Sequence, residues 1–208
     1  MPAADVSGRR YRGKTSGERR AERRRRLIDA GLELFGTIGY SDTTVRGVLR
    51  ESGLGERYFA ESFDDLEDLL LAVHDHIHSE VAADVLGAVE HAGGDPQAQA
   101  EAGLRVLIDG LTTDPRRARV KLVEVVGAGT RVEARRRELT LQVADFLAAR
   151  IDPAVHPADA RARALASYGA ASELLLAWHL GEVALTSEQV VRHLVAVFSA
   201  ALARGAAQ

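Results

Sequence analysis

The stretch TTVRGVLRESGLGERYFAESF, residues 43–63, decides how this chain folds. It divides at Gly53-Leu54-Gly55. Ahead of the break stand Ser41, Asp42, Thr43 and Thr44, residue types that close a helix start, with Asp42 or Thr43 the expected cap. Val45, Val48 and Leu49 then fall on one helical face. At Gly53 a residue able to adopt positive φ lets the chain turn sharply, and Leu54 supplies an apolar plug. A second short helix is expected over about Gly55 to Glu61, with Phe59 and Phe63 directed inward. Two helices joined by a short Gly-containing turn are the helix-turn-helix pattern, whose second helix enters the major groove of DNA.

Upstream, Leu27, Gly31, Leu34, Phe35 and Ile38 share a face, so a helix is expected from about Gly17, stopped by Gly39. Residues 1–26 carry ten basic side chains against three acidic ones, a net +7, which leaves −10 for the rest of a chain whose overall charge is −3. A basic end on an acidic body suits a polyanion-binding arm. Residues 1–16 have no apolar periodicity and are expected to be a disordered basic arm. Arg12 and Lys14 in the arm, and Arg23 in the helix, are its candidate phosphate or minor-groove contacts. Arg23 to Arg26 are consecutive and point all round a helix, so a solvated face is the bland alternative.

The segment LELFGTIGYSDTTVRGVLRESGLGERYFAESFDDLEDLLLAV resembles the DNA-binding region of TetR-type (tetracycline-repressor-like) transcriptional regulators, over roughly residues 20–75. The features that carry the resemblance are the Phe-Gly and Gly-Tyr pairs closing the first helix, Thr-Thr-Val opening the second, Ser-Gly-Leu in the turn, and Phe-x-x-x-Phe before an acidic Leu-Leu segment. Three positions depart from that pattern. Gly55 stands where the family often has Ser, Ala60 where an aromatic is common, and Leu66 where Lys is common; the last two positions commonly contact phosphates in the family. The Arg-Tyr-Phe run at Arg57 to Phe59 is similar to a variant recognition helix that offers an Arg and a Tyr to the groove.

Downstream the pattern stays helical. Leu66, Leu70, Val73, Ile77, Val81 and Val85 make the stripe of a long helix from Asp64, and further blocks are expected over about 96–111, 114–126, 131–151, 157–181 and 187–203. Nothing alternates at period two, so no sheet is expected. The fold class is all-α with about nine helices. Its domains are the arm at 1–16, a helix-turn-helix unit at 17–63, and a helical effector-binding and dimerisation body at 64–208. The last helix is apolar around much of its surface, which requires burial on more than one side. Leu174, Trp178, Val190, Leu194, Val197 and Phe198 are the candidate homodimer interface; packing inside the monomer is the alternative.

For DNA, Thr43 and Thr44 offer hydroxyls and backbone N–H groups to a phosphate, and Arg46 reaches the backbone. Arg57 can grip guanine, Tyr58 can stack on a sugar or press a thymine methyl, and Gly55 permits close approach. Glu56 suits either cytosine or a helix-capping role. His74 and His78, four apart, can chelate a metal, line a ligand pocket with Phe146, or sit on an ordinary helix surface. No third metal ligand is evident, and neither metal nor cofactor is expected. Asp75 and His76 are read as projecting elsewhere, and Glu124 as a surface acid. With no Cys, no nucleophile elbow and no phosphate-binding Gly loop, an enzyme is not expected. No apolar run reaches the ~18–20 residues of a membrane span, and no signal sequence is read, so a cytoplasmic protein is expected. Its expected partners are double-stranded DNA carrying a pseudo-palindromic operator, a small-molecule effector and a second copy of itself. A helical binding or interaction protein that does not read DNA is the alternative.

Overall fold

The computed structural model describes residues 15–202, and among these the regular elements are all helical. Helix α1 spans Ser16–Thr37, α2 Val45–Ser52, α3 Glu56–Ala60 and α4 Leu66–His91. Then come α5 Pro96–Thr112, α6 Pro115–Arg119, α7 Thr130–Ala148, α8 Pro157–His179 and α9 Ser187–Leu202. Residues 114–126 differ from the single helix expected there: α6 runs directly into a π-helical turn, Val120–Glu124.

Local sequence accounts for the element ends. The Thr15 hydroxyl accepts from Glu18 N while the Glu18 carboxylate accepts from Thr15 N, a capping box that starts α1 inside the stretch expected to be disordered. Thr44, not Asp42 or Thr43, caps α2 by accepting from Gly47 N at 3.1 Å. Gly53 closes α2 at φ +64, the left-handed region where a side chain is strained. Asp65 caps α4, accepting from Asp68 N at 2.8 Å.

Two apolar cores result. One gathers Leu27 and Phe35 of α1, Val48 of α2, Phe59 and Phe63 around α3, and Leu69, Leu70, Val73 and Ile77 of α4. It extends through Val120, Val125 and Val132, so the body closes over the helix-turn-helix. Gly36 is where α6 approaches α1 most tightly: a Cβ there would lie 2.3 Å from Arg116 Cβ and 2.8 Å from its Cα. The second core joins Leu104, Ile108 and Leu111 of α5 to Ala171 and Leu175 of α8 and Val190, Val191 and Leu194 of α9. Helix α4, at about 39 Å for its 26 residues, runs from the first core alongside α5.

Candidate nucleic-acid interface and effector site

Helix α3 is amphipathic within a single turn. Phe59 is buried and stacks against buried Phe63 with ring centroids 5.8 Å apart. Gly55, Glu56, Arg57, Tyr58 and Ala60 are exposed. Gly55 has φ −84 and nothing within 4 Å of a built Cβ, so neither the turn nor packing demands glycine there. Arg57 Nε donates to Glu61 Oε1 at 2.8 Å, which holds the guanidinium by one edge and leaves its two terminal amino groups outward. Those are the donors that a bidentate grip on guanine uses.

The arginines of α1 fold back on this unit. Arg23 lies 4.6 Å over the Tyr58 ring and 3.8 Å from Glu61 Oε2. Arg20 donates to Glu61 O at 2.8 Å, Arg24 covers the Phe63 ring at 4.8 Å, and Arg26 donates to Ser52 O at 2.5 Å. Arg23 is therefore engaged with Tyr58 and Glu61 at the surface of the unit, its side chain 25% exposed. It packs one face of Tyr58 and braces α3, each such cation–π contact contributing about 0.5–1 kcal/mol near a surface. Arg12 and Lys14 lie outside the described residues.

Thr43 is corrected. It is buried, its hydroxyl donates to Gly39 O at 2.7 Å and its N–H to Tyr40 O at 3.1 Å, so neither donor faces solvent. Thr44 and Arg46 are exposed at the start of α2, as a phosphate contact requires. Leu66 packs on the first core instead of reaching outward.

In the body, His74 and His78 meet a residue the sequence reading passed over. Lys121, on the π turn, places Nζ 3.2 Å from His74 Nε2 and 3.5 Å from His78 Nδ1. Burial pushes the Lys121 ammonium down to about 8. Burial, with the Lys121 charge adding to it, holds His74 well below the ordinary imidazole range and His78 at about 4. Both rings are thus neutral near pH 7 beside a charged ammonium. Asp75, read as projecting elsewhere, lies beside the cluster, with Oδ1 3.7 Å from His74 Nδ1, and accepts from Arg135 Nε at 2.9 Å. A lone Lys in the apolar run Val120-Lys121-Leu122-Val123 was the available signal. Phe146 is not brought to this cluster: Arg150 lies 3.4 Å over its ring, and Phe146 is about 16 Å along α7 from Arg135. Among the described residues no group of three or more His, Asp or Glu is arranged to hold a metal ion.

The same segment is bolted to the end of α1. Glu124 Oε2 accepts from Tyr40 N at 2.7 Å, and Glu124 Oε1 from Arg119 Nε at 2.8 Å. Arg119 Nη1 donates to Thr37 O at 2.6 Å, and Arg116 bridges Asp114 to Glu33 of α1. Glu124 is therefore no surface acid; its side chain is 11% exposed. On the other flank Arg131, opening α7, grips Asp65 and Glu67 at the start of α4.

The terminal helices partly correct the expected interface. Val190 and Leu194 are fully buried against α5 in their own chain, because the apolar face of α5 needs a cover and α9 provides it. Trp178 packs on that core and donates its indole N–H to Leu185 O at 2.8 Å. Leu174, Val197 and Phe198 remain partly exposed.

Comparison with known proteins agrees with this geometry. Residues 27–73 match the family described as bacterial regulatory proteins, tetR family. Over 88 residues the chain is 36% identical to the HTH-type transcriptional regulator BetI of Escherichia coli (strain UMN026), covering 42% of this chain and 44% of BetI. The chain thus matches less than half the length of that relative. Among solved structures, the fatty acid degradation regulator FadR from Bacillus halodurans superposes with a TM-score of 0.73 at 14% identity, covering 85% of this chain and 94% of FadR. FadR from Bacillus subtilis in complex with stearoyl-CoA gives a TM-score of 0.69 at 13% identity, covering 84% and 96%. These likenesses concern the fold. The relatives named are regulators, and among the described residues no helix is long and apolar enough to cross a membrane.

Proposed function

We propose that this chain, whose residues 27–73 match the tetR family of bacterial regulatory proteins, is a cytoplasmic homodimeric repressor that a small-molecule effector releases from a pseudo-palindromic operator. Residues 17–63 are the reading unit and residues 64–208 the effector-binding and dimerising body, with Leu174, Val197 and Phe198 in the interface. The observation that carries the reading is α3: one aromatic face is buried, and its opposite face presents Arg57 and Tyr58, oriented by Glu61 and Arg23. Such a helix delivers base-reading side chains already held in position, while Thr44 and Arg46 at the start of α2 supply phosphate contacts.

Release follows from differential binding: an effector that fits best when the two reading units are wrongly spaced lowers DNA affinity. The π turn supports this route, because it touches both the polar cluster on α4 and the end of α1. That BetI is named a transcriptional regulator and that one FadR structure holds stearoyl-CoA support a DNA-reading head and a ligand-holding body.

The test is selection of a preferred duplex from random DNA, followed by binding measured by fluorescence anisotropy over a range of salt. Arg57→Ala is expected to weaken the selected duplex by about 1–3 kcal/mol while changing random DNA less. Equal affinity of the wild type for both duplexes overturns the proposal.

A further inference from the structure

The polar cluster in the body is centred on the Lys121 ammonium. With the Lys121 ammonium donating to both rings, His74 takes the Nδ1–H tautomer and His78 the Nε2–H tautomer. The His74 residue is 3% exposed, and its Nδ1 has no hydrogen-bond partner. The Asp75 carboxylate lies beyond hydrogen-bond reach at 3.7 Å. Lys121 forms no ion pair among the described residues, and Asp75, the acid whose charge reaches it, is taken by Arg135. Arg135 in turn shares its charge with Glu138 at the surface. What remains is a half-buried cation with no ion pair among the described residues, a third ammonium proton and, on the side of the His74 ring away from Lys121, an orphaned imidazole N–H. Their chain neighbours Val73 and Ile77 of α4 and Val120 of the π turn are fully buried in the first core. Buried donors and charges normally find partners. An anion beside the ammonium supplies the missing counter-charge and accepts the third ammonium proton.

We propose that this cluster is an anion-binding site, in which Lys121, positioned by the His74 and His78 rings, holds the carboxylate or phosphate end of an amphipathic effector. The proposal rests on the body being the effector-binding part of a regulator, and it names the chemistry of that effector. The π turn is what delivers Lys121, consistent with the concentration of such turns at functional sites.

A matched set of probes separates headgroup from tail: octanoate, octyl phosphate, octanol and octylamine, each titrated into the full chain by calorimetry. Binding of octanoate or octyl phosphate, with octanol and octylamine silent, supports the site, and whichever of the two binds identifies the headgroup. Lys121→Met is expected to lose about tenfold or more in affinity for that anion, as removal of a charged partner implies. Because this variant could fold differently, the imidazole nitrogen resonances of the wild type give a second readout, in which His74 and His78 shift on anion addition. Octanol binding as tightly as octanoate, no binding by either anion, unmoved imidazole resonances, or full binding by a folded Lys121→Met each overturns the proposal. Operator binding measured on the same samples keeps the two ideas apart: loss of sequence preference refutes the regulator and leaves the anion result standing.

Discussion

Glu124→Ala removes the tie between the body and the reading unit. The Glu124 carboxylate accepts from Tyr40 N at 2.7 Å and from Arg119 Nε at 2.8 Å, with its side chain only 11% exposed. Hydrogen bonds to a charged group contribute about 1.5–3 kcal/mol each, and a half-buried donor left alone adds a desolvation cost. Arg119 keeps its bond to Thr37 O and reaches water on one side, which reduces its share. The expected loss is therefore about 2–3 kcal/mol, centred on the Tyr40 N–H that has no other acceptor in place. Glu124→Gln keeps one carbonyl oxygen for Tyr40 and should lose about half as much. Urea unfolding followed by circular dichroism measures both variants against wild type. Hydrogen exchange at Tyr40 N–H adds a local readout, since that amide should exchange markedly faster in Glu124→Ala. A loss below about 0.5 kcal/mol with unchanged exchange at Tyr40 would refute the tie, because surface substitutions elsewhere stay within that range.

Two further outcomes follow from the packing and the titrating groups. Stability should fall as pH drops from about 6.5 to 4, because the unfolded chain protonates His78 near 6.5 and the folded chain only near 4. His78 keeps partial solvent contact, which screens the effect to roughly 1–2 kcal/mol; a His78→Gln variant losing as much stability as wild type between pH 7 and 5 would contradict this. Gly36→Ala should destabilise by about 2 kcal/mol despite alanine's better helix propensity, since its Cβ would meet Arg116 at 2.3 Å, whereas Gly87→Ala, with nothing within 4 Å, should be neutral or stabilising. Equal unfolding midpoints for the two glycine variants would show that α6 yields freely.

Local chemistry made the reading unit legible. Gly53 at φ +64 between two apolar-faced helices, and Phe59 four residues before Phe63, follow rules that act within a few positions. Cap identity was less legible because neighbouring residues of one type compete: Thr43 and Thr44 differ only in which hydroxyl the fold turns inward. Arg23 escaped because its partners, Tyr58 and Glu61, stand on and just past a different helix. Lys121 escaped for the same reason at longer range, its imidazole partners lying 47 and 43 residues earlier. The apolar periodicity of α9 said that its faces are buried, yet not that α5 of the same chain buries Val190 and Leu194.

The π turn gives the body and the reading unit a shared point of contact. Residues three apart on an α-helix are neighbours on one face. Lys121 and Glu124 are three apart, yet Lys121 meets the α4 histidines while Glu124 meets Tyr40 beyond the end of α1. The widened turn spreads the two side chains so that both contacts form together. Tightening it into α-helix would bring them back toward one face, so that one contact is kept only by releasing the other. On the proposed function, a ligand that pulls on Lys121 would therefore act against the Glu124–Tyr40 bond through a single turn of backbone. The reading unit would then respond without any need for the long α4 helix to bend, because Arg116 and Arg119, gripping α1 at Glu33 and Thr37, connect the π turn to the helix whose arginines brace α3.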